Sequence, residues 1–495
     1  MKFRFLIFLL LFSSPVYSQN SYDSLVKKGA NLLYNFQVAE GNRILNQAIE
    51  MAPSQPDAYV FIAQYHAWLF GASKNENEKK NFEKWSDIAI SKTESALKKN
   101  ENDCRLICII GNIYLLKAVV AETDGSPIKA FNYCKTANSY FENSKEINPK
   151  YFDADKGLGL IHYFLDFVPG VFKWAVKLTG MKPDKELGLN LVRKAYREGT
   201  DDKIESAFHL SKIFTDYVAE YDSAKVILKN LLTQYPKNPL FCYEMVIAQI
   251  KDGNVDDALK YVDRILEKKY PDIPLMNSLT VFLKGDIYFK KNDFKDAEAC
   301  YIEFISNASD PDYTGIASYR LAICQCVEKK KDAFVKSLLT AREGNTDIFE
   351  DAFAKRISKA MNGRFFTDDE LLIIKSKNDF DCKKYSNVLK NLSSSVWSIS
   401  DGDQKANGFL LLAESLVYLN RLDEAAKYLD NLDSIKISDA EWITPRALYV
   451  RALLNYFKGD RKSAQYFYQK ALDKNDYDFS DEIGELLNNL KRKIY

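Results

Sequence analysis

Alanines recur at a nearly constant distance through this 495-residue chain. Ala224, Ala258 and Ala297 follow one another at intervals of 34 and 39 residues. Ala425 and Ala464 are again separated by 39 residues. A period of roughly 34 to 47 residues is typical of two antiparallel helices that repeat along a chain. The spacing therefore predicts an array of helix hairpins.

Short polar turns precede most of these alanines. The turns are Asp252-Gly253-Asn254, Lys291-Asn292-Asp293, Asn420-Arg421 and Gly459-Asp460. Between such turns, most of the chain places apolar residues at i, i+3, i+4 and i+7, which indicates amphipathic helices. Hardly any stretch alternates with a period of two, so the sequence does not predict a sheet. We expect an all-α fold of roughly 24 helices.

The repeats resemble the tetratricopeptide repeat. That family places a small residue and an aromatic residue in the first helix, Ala early in the second, a large apolar residue after it, and Pro near the end. One repeat reads Gly285, Tyr288, Phe294, Ala297 and Tyr301, with Pro311 after it. Weaker copies of the pattern lie around Gly29, Ala224, Ala258, Ala425 and Ala464. The resemblance implies a right-handed α-solenoid of tetratricopeptide-type hairpins that binds proteins.

The repeat signal divides the chain into six regions. We expect a signal peptide at 1–18, an N-terminal tetratricopeptide-like helical region at 19–150, an irregular helical joint at 151–200, a central tetratricopeptide array at 201–361, a less regular helical segment at 362–402 and C-terminal tetratricopeptide repeats at 403–495. In the joint, the run Gly180, Asp184, Gly188-Leu189 is similar to a segment of tetratricopeptide proteins of the mitochondrial outer membrane. The joint either connects two arms or forms a ligand pocket.

The N-terminus has the pattern of a cleavable export signal. Lys2 and Arg4 precede an apolar run from Phe5 to Phe12, and Val16 and Ser18 suit the positions before a signal-peptidase cut. We predict cleavage after Ser18 and an exported protein that is periplasmic or secreted, with peripheral association with an outer membrane as a further option. The run is too short to span a bilayer, which needs about 20 residues.

A later apolar stretch also needs an assignment. Leu106 to Ala121 contains Gly111, Asn112 and Lys117. These residues favour a helix buried between its neighbours, so we expect no transmembrane segment in the mature chain.

Composition and motifs exclude several classes of function. The 69 basic and 68 acidic residues leave no excess of positive charge, which counts against a nucleic-acid partner. The common hydrolase, phosphate-loop and zinc signatures are missing. We therefore predict no catalytic, cofactor-binding or metal-binding residue, and no cofactor. The eight cysteines are scattered, and a single bridge between Cys108 and Cys134 is one option that stays open.

The first helices of successive hairpins should line a concave groove that accepts an extended peptide or a partner helix. The lining positions are His209, Ile213, Asp216, Tyr217, Tyr243, Ile247, Phe282, Asp286, Leu410, Glu414, Tyr449 and Tyr456. These residues are mostly aromatic, apolar or acidic, which matches a protein partner with aromatic or apolar anchors. They lack the Lys, Arg and Asn clamp by which family members hold a C-terminal carboxylate.

We thus expect a non-enzymatic protein-interaction scaffold in the cell envelope, with a partner whose identity the sequence does not reveal. A binding protein for an envelope glycan or nutrient is the alternative, and it would need aromatic side chains clustered in one pocket. The five tryptophans are spread along the chain and do not suggest such a cluster. An enzyme is the third option, and a perturbed carboxylate near His162 or His209 would support it.

Overall fold

The chain is helical throughout the part that the structure, a computed structural model, describes. The described residues are 19–167, 176, 180–308, 310–477 and 480–495. They form 24 α-helices and two short 3-10 helices, and they contain no strand. The predicted all-α fold of tetratricopeptide-type hairpins is therefore confirmed. The predicted signal peptide at 1–18 lies outside the described residues.

Two compact units divide the chain. The first contains residues up to Thr200 together with Tyr235–Asn238, and the second contains Asp201–Gln234 and Pro239–Tyr495. The six predicted regions are a finer division than these two units, and they stay a prediction.

The first unit is built from four helix hairpins, in which α1 pairs with α2, α3 with α4, α5 with α6 and α7 with α8. The helices are α1 (Gln19–Tyr34), α2 (Val38–Met51), α3 (Asp57–Ser73), α4 (Glu76–Leu97), α5 (Cys104–Thr123), α6 (Pro127–Ile147), α7 (Asp153–Phe164) and α8 (Lys185–Glu198), with a 3-10 turn at Leu165–Phe167.

The second unit contains the other sixteen described helices. They are α9 (Lys203–Asp216), α10 (Tyr221–Gln234), α11 (Pro239–Lys251), α12 (Val255–Lys268), α13 (Pro274–Lys290), α14 (Phe294–Asn307), α15 (Thr314–Val327), α16 (Lys331–Thr340), α17 (Phe349–Met361), α18 (Asp368–Asp381), α19 (Tyr385–Leu392), α20 (Gly402–Tyr418), α21 (Leu422–Asp433), α22 (Ile443–Phe457), α23 (Arg461–Lys474) and α24 (Asp481–Ile494), with a 3-10 turn at Ser395–Ser398. Most pair in sequence as hairpins, but α17 packs against α15, and α24 packs against both α22 and α23.

The recurring alanines are the closest packing points of the hairpins. Ala224, Ala258, Ala297, Ala425 and Ala464 are all completely buried. Because a larger side chain would push the paired helices apart, the alanine period follows from the packing distance within each hairpin.

Small residues in the first helices have the same role. A Cβ added to Gly285 would lie 2.8 Å from Cε1 of Tyr301, which is itself fully buried. A Cβ on Gly29 would lie 2.6 Å from Cγ of Leu45. These contacts explain why the repeat pattern has glycine opposite a large residue.

The predicted turns share one backbone feature. Gly253, Asn292, Asn420 and Gly459 all have positive φ, and each lies two residues before the second helix of its hairpin. Glycine and asparagine tolerate this left-handed conformation best. The first hairpin of the second unit places Ala219 at the same position, with φ 48°.

The region predicted as an irregular joint contains a close approach of two backbones. Gly159 on α7 and Gly188 on α8 face each other, and a Cβ on Gly188 would lie 2.6 Å from the Gly159 carbonyl oxygen. Asp184 caps α8 by accepting a hydrogen bond from the Leu187 amide at 2.9 Å. The glycine-rich run is thus a packing device of the α7–α8 hairpin. Pro169 and Gly170 lie outside the described residues.

Helix α5 is long and apolar enough to cross a membrane, with a mean hydropathy of 1.8 over its most apolar window. It is the one such helix in the described part of the chain. In the first unit it packs against α4, α6 and α7, and Ile107, Ile110 and Ile113 are buried. These contacts agree with the predicted core helix.

All eight cysteines carry free thiols. The bridge considered between Cys108 and Cys134 is therefore not formed in the structure. Burial raises the pKa of the Cys134 thiol to about 11, which makes its thiolate form scarce at neutral pH.

Candidate binding surface of the second unit

All twelve residues predicted to line a groove belong to the second unit. Five of them, namely Ile213, Phe282, Leu410, Glu414 and Tyr449, are buried. Their side chains pack between helices, so they offer little surface to a partner. Six others are half-buried, namely His209, Asp216, Tyr217, Tyr243, Ile247 and Asp286, and Tyr456 is exposed. The binding role of the set stays a prediction.

Asp216 lies in a chain of alternating charges. Lys212 Nζ is 3.2 Å from Asp216 and 3.0 Å from Glu244. Lys251 Nζ is 3.6 Å from Asp216 and 3.1 Å from Glu485. Helix α9 supplies the first lysine and aspartate, α11 supplies Glu244 and Lys251, and α24 supplies Glu485. Three carboxylates thus share two ammonium groups.

The carboxylates of this cluster have shifted pKa values. Burial raises the pKa of Glu485 to about 7, and the neighbouring charges of Asp216 and Glu482 add to this although Lys251 opposes it. Burial likewise raises the pKa of Glu244, against the influence of Lys212. Near neutral pH, the cluster therefore exchanges a proton at Glu485.

Helix α24 makes further polar contacts with the α9–α10 turn. Asn488 donates a hydrogen bond to the Tyr217 carbonyl and Asn489 donates one to the Ala219 carbonyl, each at 3.1 Å. Arg492 Nη1 lies 3.2 Å from Glu220 Oε1. We call these contacts, together with the Lys251–Glu485 pair, the C-terminal seam, because they join the last helix of the second unit to its first hairpins.

A second long-range contact centres on Asp381, at the end of α18. Its carboxylate pairs with Lys290 of α13 at 2.7 Å and with Lys377 one turn earlier. Burial alone would raise the pKa of Asp381, but the two lysines outweigh it and hold that pKa well below its usual range. Asn378 adds a hydrogen bond to the Phe289 carbonyl at 2.8 Å. We call this contact the Asp381 seam.

Asp286, another predicted residue, is held between two helices. Its carboxylate accepts a hydrogen bond from the Tyr301 hydroxyl at 2.7 Å and pairs with Arg320. Phe282, one turn earlier on α13, stacks against Tyr313 with ring centroids 5.4 Å apart. Asp286 is therefore largely occupied by internal contacts.

Aromatic and charged groups meet beside α20 and α22. Glu414 and Arg446 form a buried ion pair with two hydrogen bonds, at 2.8 and 2.9 Å. Tyr385 and Tyr418 stack with ring centroids 5.1 Å apart, and Tyr418 keeps 39% of its surface exposed. We call Tyr385 and Tyr418 the tyrosine pair.

Glu482 is an accessible charge of this region. Its side chain is 69% exposed and lies 3.5 Å from Arg446. The charge of Lys377 lowers the pKa of Glu482, with a smaller effect from Arg446, so the carboxylate is ionised at neutral pH. Glu482 also raises the pKa of Tyr221, as Tyr418 does, which places Tyr221 near both groups.

The structure thus leaves the predicted residues Asp216, Tyr217, Tyr243 and Asp286 half-buried beside charged groups of the second unit, whereas Phe282, Glu414 and Tyr449 are buried. The same region carries cations. Lys212, Lys251, Lys290, Lys377 and Arg446 were missed by the sequence analysis, which expected aromatic, apolar and acidic lining only. A basic residue four positions before an acidic one, as in Lys212 with Asp216 and Lys377 with Asp381, was the available signal.

The described residues contain no group of three or more His, Cys, Asp or Glu side chains arranged to hold a metal ion. Glu485 and Glu244 are carboxyls whose pKa burial raises, and at Glu485 the charges of Lys251, Asp216 and Glu482 also act. Fixed charges, aromatic faces and a titrating carboxyl suit recognition of a polar or aromatic partner.

Comparison with known proteins identifies a repeat family in part of this chain. The model of the Tetratricopeptide repeat family matches residues 219–281, which include α10, α11 and α12. The repeats recognised from Ala224 and Ala258 are therefore confirmed. No curated protein sequence matches the chain.

Solved structures of low similarity cover most of the chain. A human IFIT1 dimer with PPP-AAAA is 14% identical over 93% of this chain and 96% of its own, with a TM-score of 0.33. Yeast Tom70 is 12% identical over 92% of this chain and 99% of its own, also with a TM-score of 0.33. The P58(IPK) TPR domain is 14% identical over 76% and 98%, with a TM-score of 0.20. These scores are too low to indicate what the chain binds.

Proposed function

Because this chain is built from tetratricopeptide-type helix hairpins, we propose that it is a non-enzymatic scaffold that binds a protein partner through the second unit. The observation that carries the proposal is the surface around Glu482 and the tyrosine pair. There, an ionised carboxylate and an aromatic face are accessible, while the surrounding charges are held in internal ion pairs.

The chemistry of this surface favours a basic side chain of the partner. Burial raises the pKa of Tyr221 and Tyr385, and nearby carboxylates add to the shift in both cases. The nearby carboxylates therefore add negative potential at both phenol groups. A Lys or Arg of the partner would stack on the tyrosine pair and form an ion pair with Glu482. The proposed anchor of the partner is therefore a basic side chain, in place of the aromatic or apolar anchor expected from sequence.

The proposed location is the cell envelope. It rests on the export pattern of Lys2, Arg4, the apolar run and Ser18. Fractionation of cells and N-terminal sequencing of the purified protein test it. A mature N-terminus at Gln19 in an envelope or extracellular fraction is expected, and an intact Met1 in the cytoplasmic fraction would contradict it.

An envelope glycan or nutrient is the second candidate ligand, and the tyrosine pair favours it specifically. A partly exposed aromatic ring beside charged groups is a face on which a sugar ring could stack. The tyrosine pair, and not the scattered tryptophans, supports the clustered aromatic side chains that this candidate requires.

One binding experiment tests both candidates. The mature chain is used to capture partners from an envelope extract and is also applied to a glycan array, alongside Glu482→Lys and Tyr418→Ala. Phe282 is unsuitable for substitution because it is buried, so a change there would damage the core. Glu267→Lys is the matched control, since Glu267 is exposed on α12 of the same unit.

We expect one protein to be captured by the wild type and by Glu267→Lys, with recovery at least tenfold lower for Glu482→Lys and reduced for Tyr418→Ala. The factor of ten corresponds to about 1.4 kcal/mol, which is within the range of one desolvated ion pair. Equal recovery with all variants would contradict the proposed surface. A glycan signal that depends on Tyr418, without a protein partner, would favour the second candidate.

A further inference from the structure

Helix α24 has two faces with different chemistry. Ile483, Leu487, Leu490 and Ile494 are buried and belong to the hydrophobic core of the C-terminal repeats. The opposite face carries Glu485, Asn488, Asn489 and Arg492, spaced at i, i+3, i+4 and i+7. This spacing places the four polar residues in one row along the helix.

The polar row forms the C-terminal seam. Each of its four side chains contacts the first hairpins of the second unit, at distances between 3.1 and 3.2 Å. Two of the acceptors are backbone carbonyls of the α9–α10 turn, those of Tyr217 and Ala219. In a simple solenoid each repeat contacts only its sequence neighbours, so a contact across more than 230 residues requires its own explanation.

The two faces differ in how easily they separate. Pulling the apolar face away would expose four large aliphatic side chains, at about 1.5 to 3 kcal/mol for each. Hydrogen bonds and ion pairs at the polar face are replaced by water when they break, and each contributes only about 0.5 to 1.5 kcal/mol net. The seam therefore separates while α24 stays attached to α22 and α23.

From this geometry we propose that α24 is a proton-dependent latch, which closes the second unit on itself at acidic to neutral pH and releases the first hairpins as pH rises. Glu485 is the group that sets the pH. That the latch controls access to the candidate binding surface rests on the proposed function. The opening and closing of the latch do not rest on it.

The direction of the pH dependence follows from the charges that surround Glu485. Lys251 of α11 pairs with it, while Asp216 of α9 and Glu482 of α24 repel its charge, and Lys212 is already shared by Asp216 and Glu244. Tyr217 and Tyr221 also face this cluster. An open latch would return Glu485 to water and to an ordinary pKa.

The closed state therefore binds a proton that the open state releases. With a pKa of about 7 when closed and about 4.3 when open, closure weakens by about tenfold between pH 6 and pH 8. The stabilisation is fully present below the ordinary pKa and is lost as pH rises through 7.

Hydrogen exchange on the full mature chain tests the latch. Protection factors are measured by NMR for the side-chain amide hydrogens of Asn488 and Asn489, which the seam engages, at pH 6 and pH 8, after correction for the intrinsic exchange rate. The variants are Glu485→Gln, which cannot ionise, and Glu267→Gln as the exposed control.

We expect wild-type and Glu267→Gln protection of both side-chain amides to fall by about tenfold from pH 6 to pH 8. Glu485→Gln should hold the pH 6 value at both pH values. Unchanged wild-type protection, or an equal fall in Glu485→Gln, would overturn the proposal. If Glu485→Gln does not fold, the wild-type pH series still decides, because the Asp381 seam in the same sample should not respond. No partner is present, so the outcome is separate from that of the capture experiment.

Discussion

The two long-range contacts of the second unit contain the same residue types in different ratios. In the Asp381 seam one carboxylate is held by two lysines, and its pKa is lowered far below the usual range despite burial. In the cluster that supplies Glu485 to the C-terminal seam, three carboxylates share two lysines, and burial raises the pKa of Glu485 to about 7. The number of lysines per carboxylate, more than burial, decides which contact is indifferent to pH.

This difference assigns distinct roles to the seams. The Asp381 seam keeps its charges at any pH at which the chain is folded, so it acts as a permanent tie between α13 and α18. The C-terminal seam loses stability as Glu485 ionises, so it is the one that opens. Both add contacts that a linear array of hairpins lacks.

Removing the Asp381 carboxylate should have the largest effect on the free energy of unfolding. Asp381→Ala leaves Lys290 and Lys377 close together without a counter-charge. We expect the free energy of unfolding to fall by about 2 to 3 kcal/mol, measured by urea titration at pH 7.

The matched control is Asp430→Ala, whose exposed carboxylate lies 3.4 Å from Arg451 on the surface. It should stay close to the wild type. A loss for Asp381→Ala that is no greater than that of the control would show that the Asp381 seam is not a tie.

The turn at Gly253, which lies against the Asp381 carbonyl, should be the next most sensitive to substitution. Gly253 has φ 73°, and a Cβ there would lie 2.3 Å from the Asp381 carbonyl oxygen. Gly253→Ala should therefore destabilise the chain by about 2 kcal/mol, through both backbone strain and this clash, in the same titration.

Ala219 provides the counterpart in the C-terminal seam, because it has the equivalent place in the preceding hairpin and already carries a Cβ at φ 48°. Ala219→Gly should stabilise by about 1 kcal/mol. Effects of the same sign in both variants would contradict a shared preference of the two turns for glycine.

The smallest effect is expected from the amides of the latch. Asn488→Ala combined with Asn489→Ala removes two hydrogen bonds to backbone carbonyls. Stability should fall by about 0.5 to 1 kcal/mol at pH 6 and by less at pH 8, because the two amides contribute only while the latch is closed. An equal loss at both pH values would contradict opening of the latch between them.

The sequence predicted the repeating part of the fold because that part depends on local spacing. The buried alanines and the left-handed turns at Gly253, Asn292, Asn420 and Gly459 follow from the packing of each hairpin with itself and its neighbour. The register of the first helices predicted Asp216 and Asp286, which are half-buried in ion pairs, and Glu414, which is buried in its pair with Arg446.

The seams could not be predicted in the same way. Lys290 and Asp381 are 91 residues apart, and Lys251 and Glu485 are 234 residues apart. A periodic pattern identifies sequence neighbours, whereas these contacts depend on the curvature that many repeats accumulate. For the same reason, the burial of Phe282 and Leu410 at predicted groove positions was visible only in the structure.

The most direct test of the contrast is a titration of the two carboxyl groups themselves. Carbon-13 NMR of the chain labelled at the side-chain carboxyls of Asp and Glu, with Asp381→Asn and Glu485→Gln used to assign the two signals, reports each pKa separately. We predict that Glu485 titrates near pH 7 and that Asp381 stays ionised through the acidic range in which the chain remains folded. A Glu485 signal that titrates between about pH 4 and 5, like an ordinary glutamate, would contradict the account.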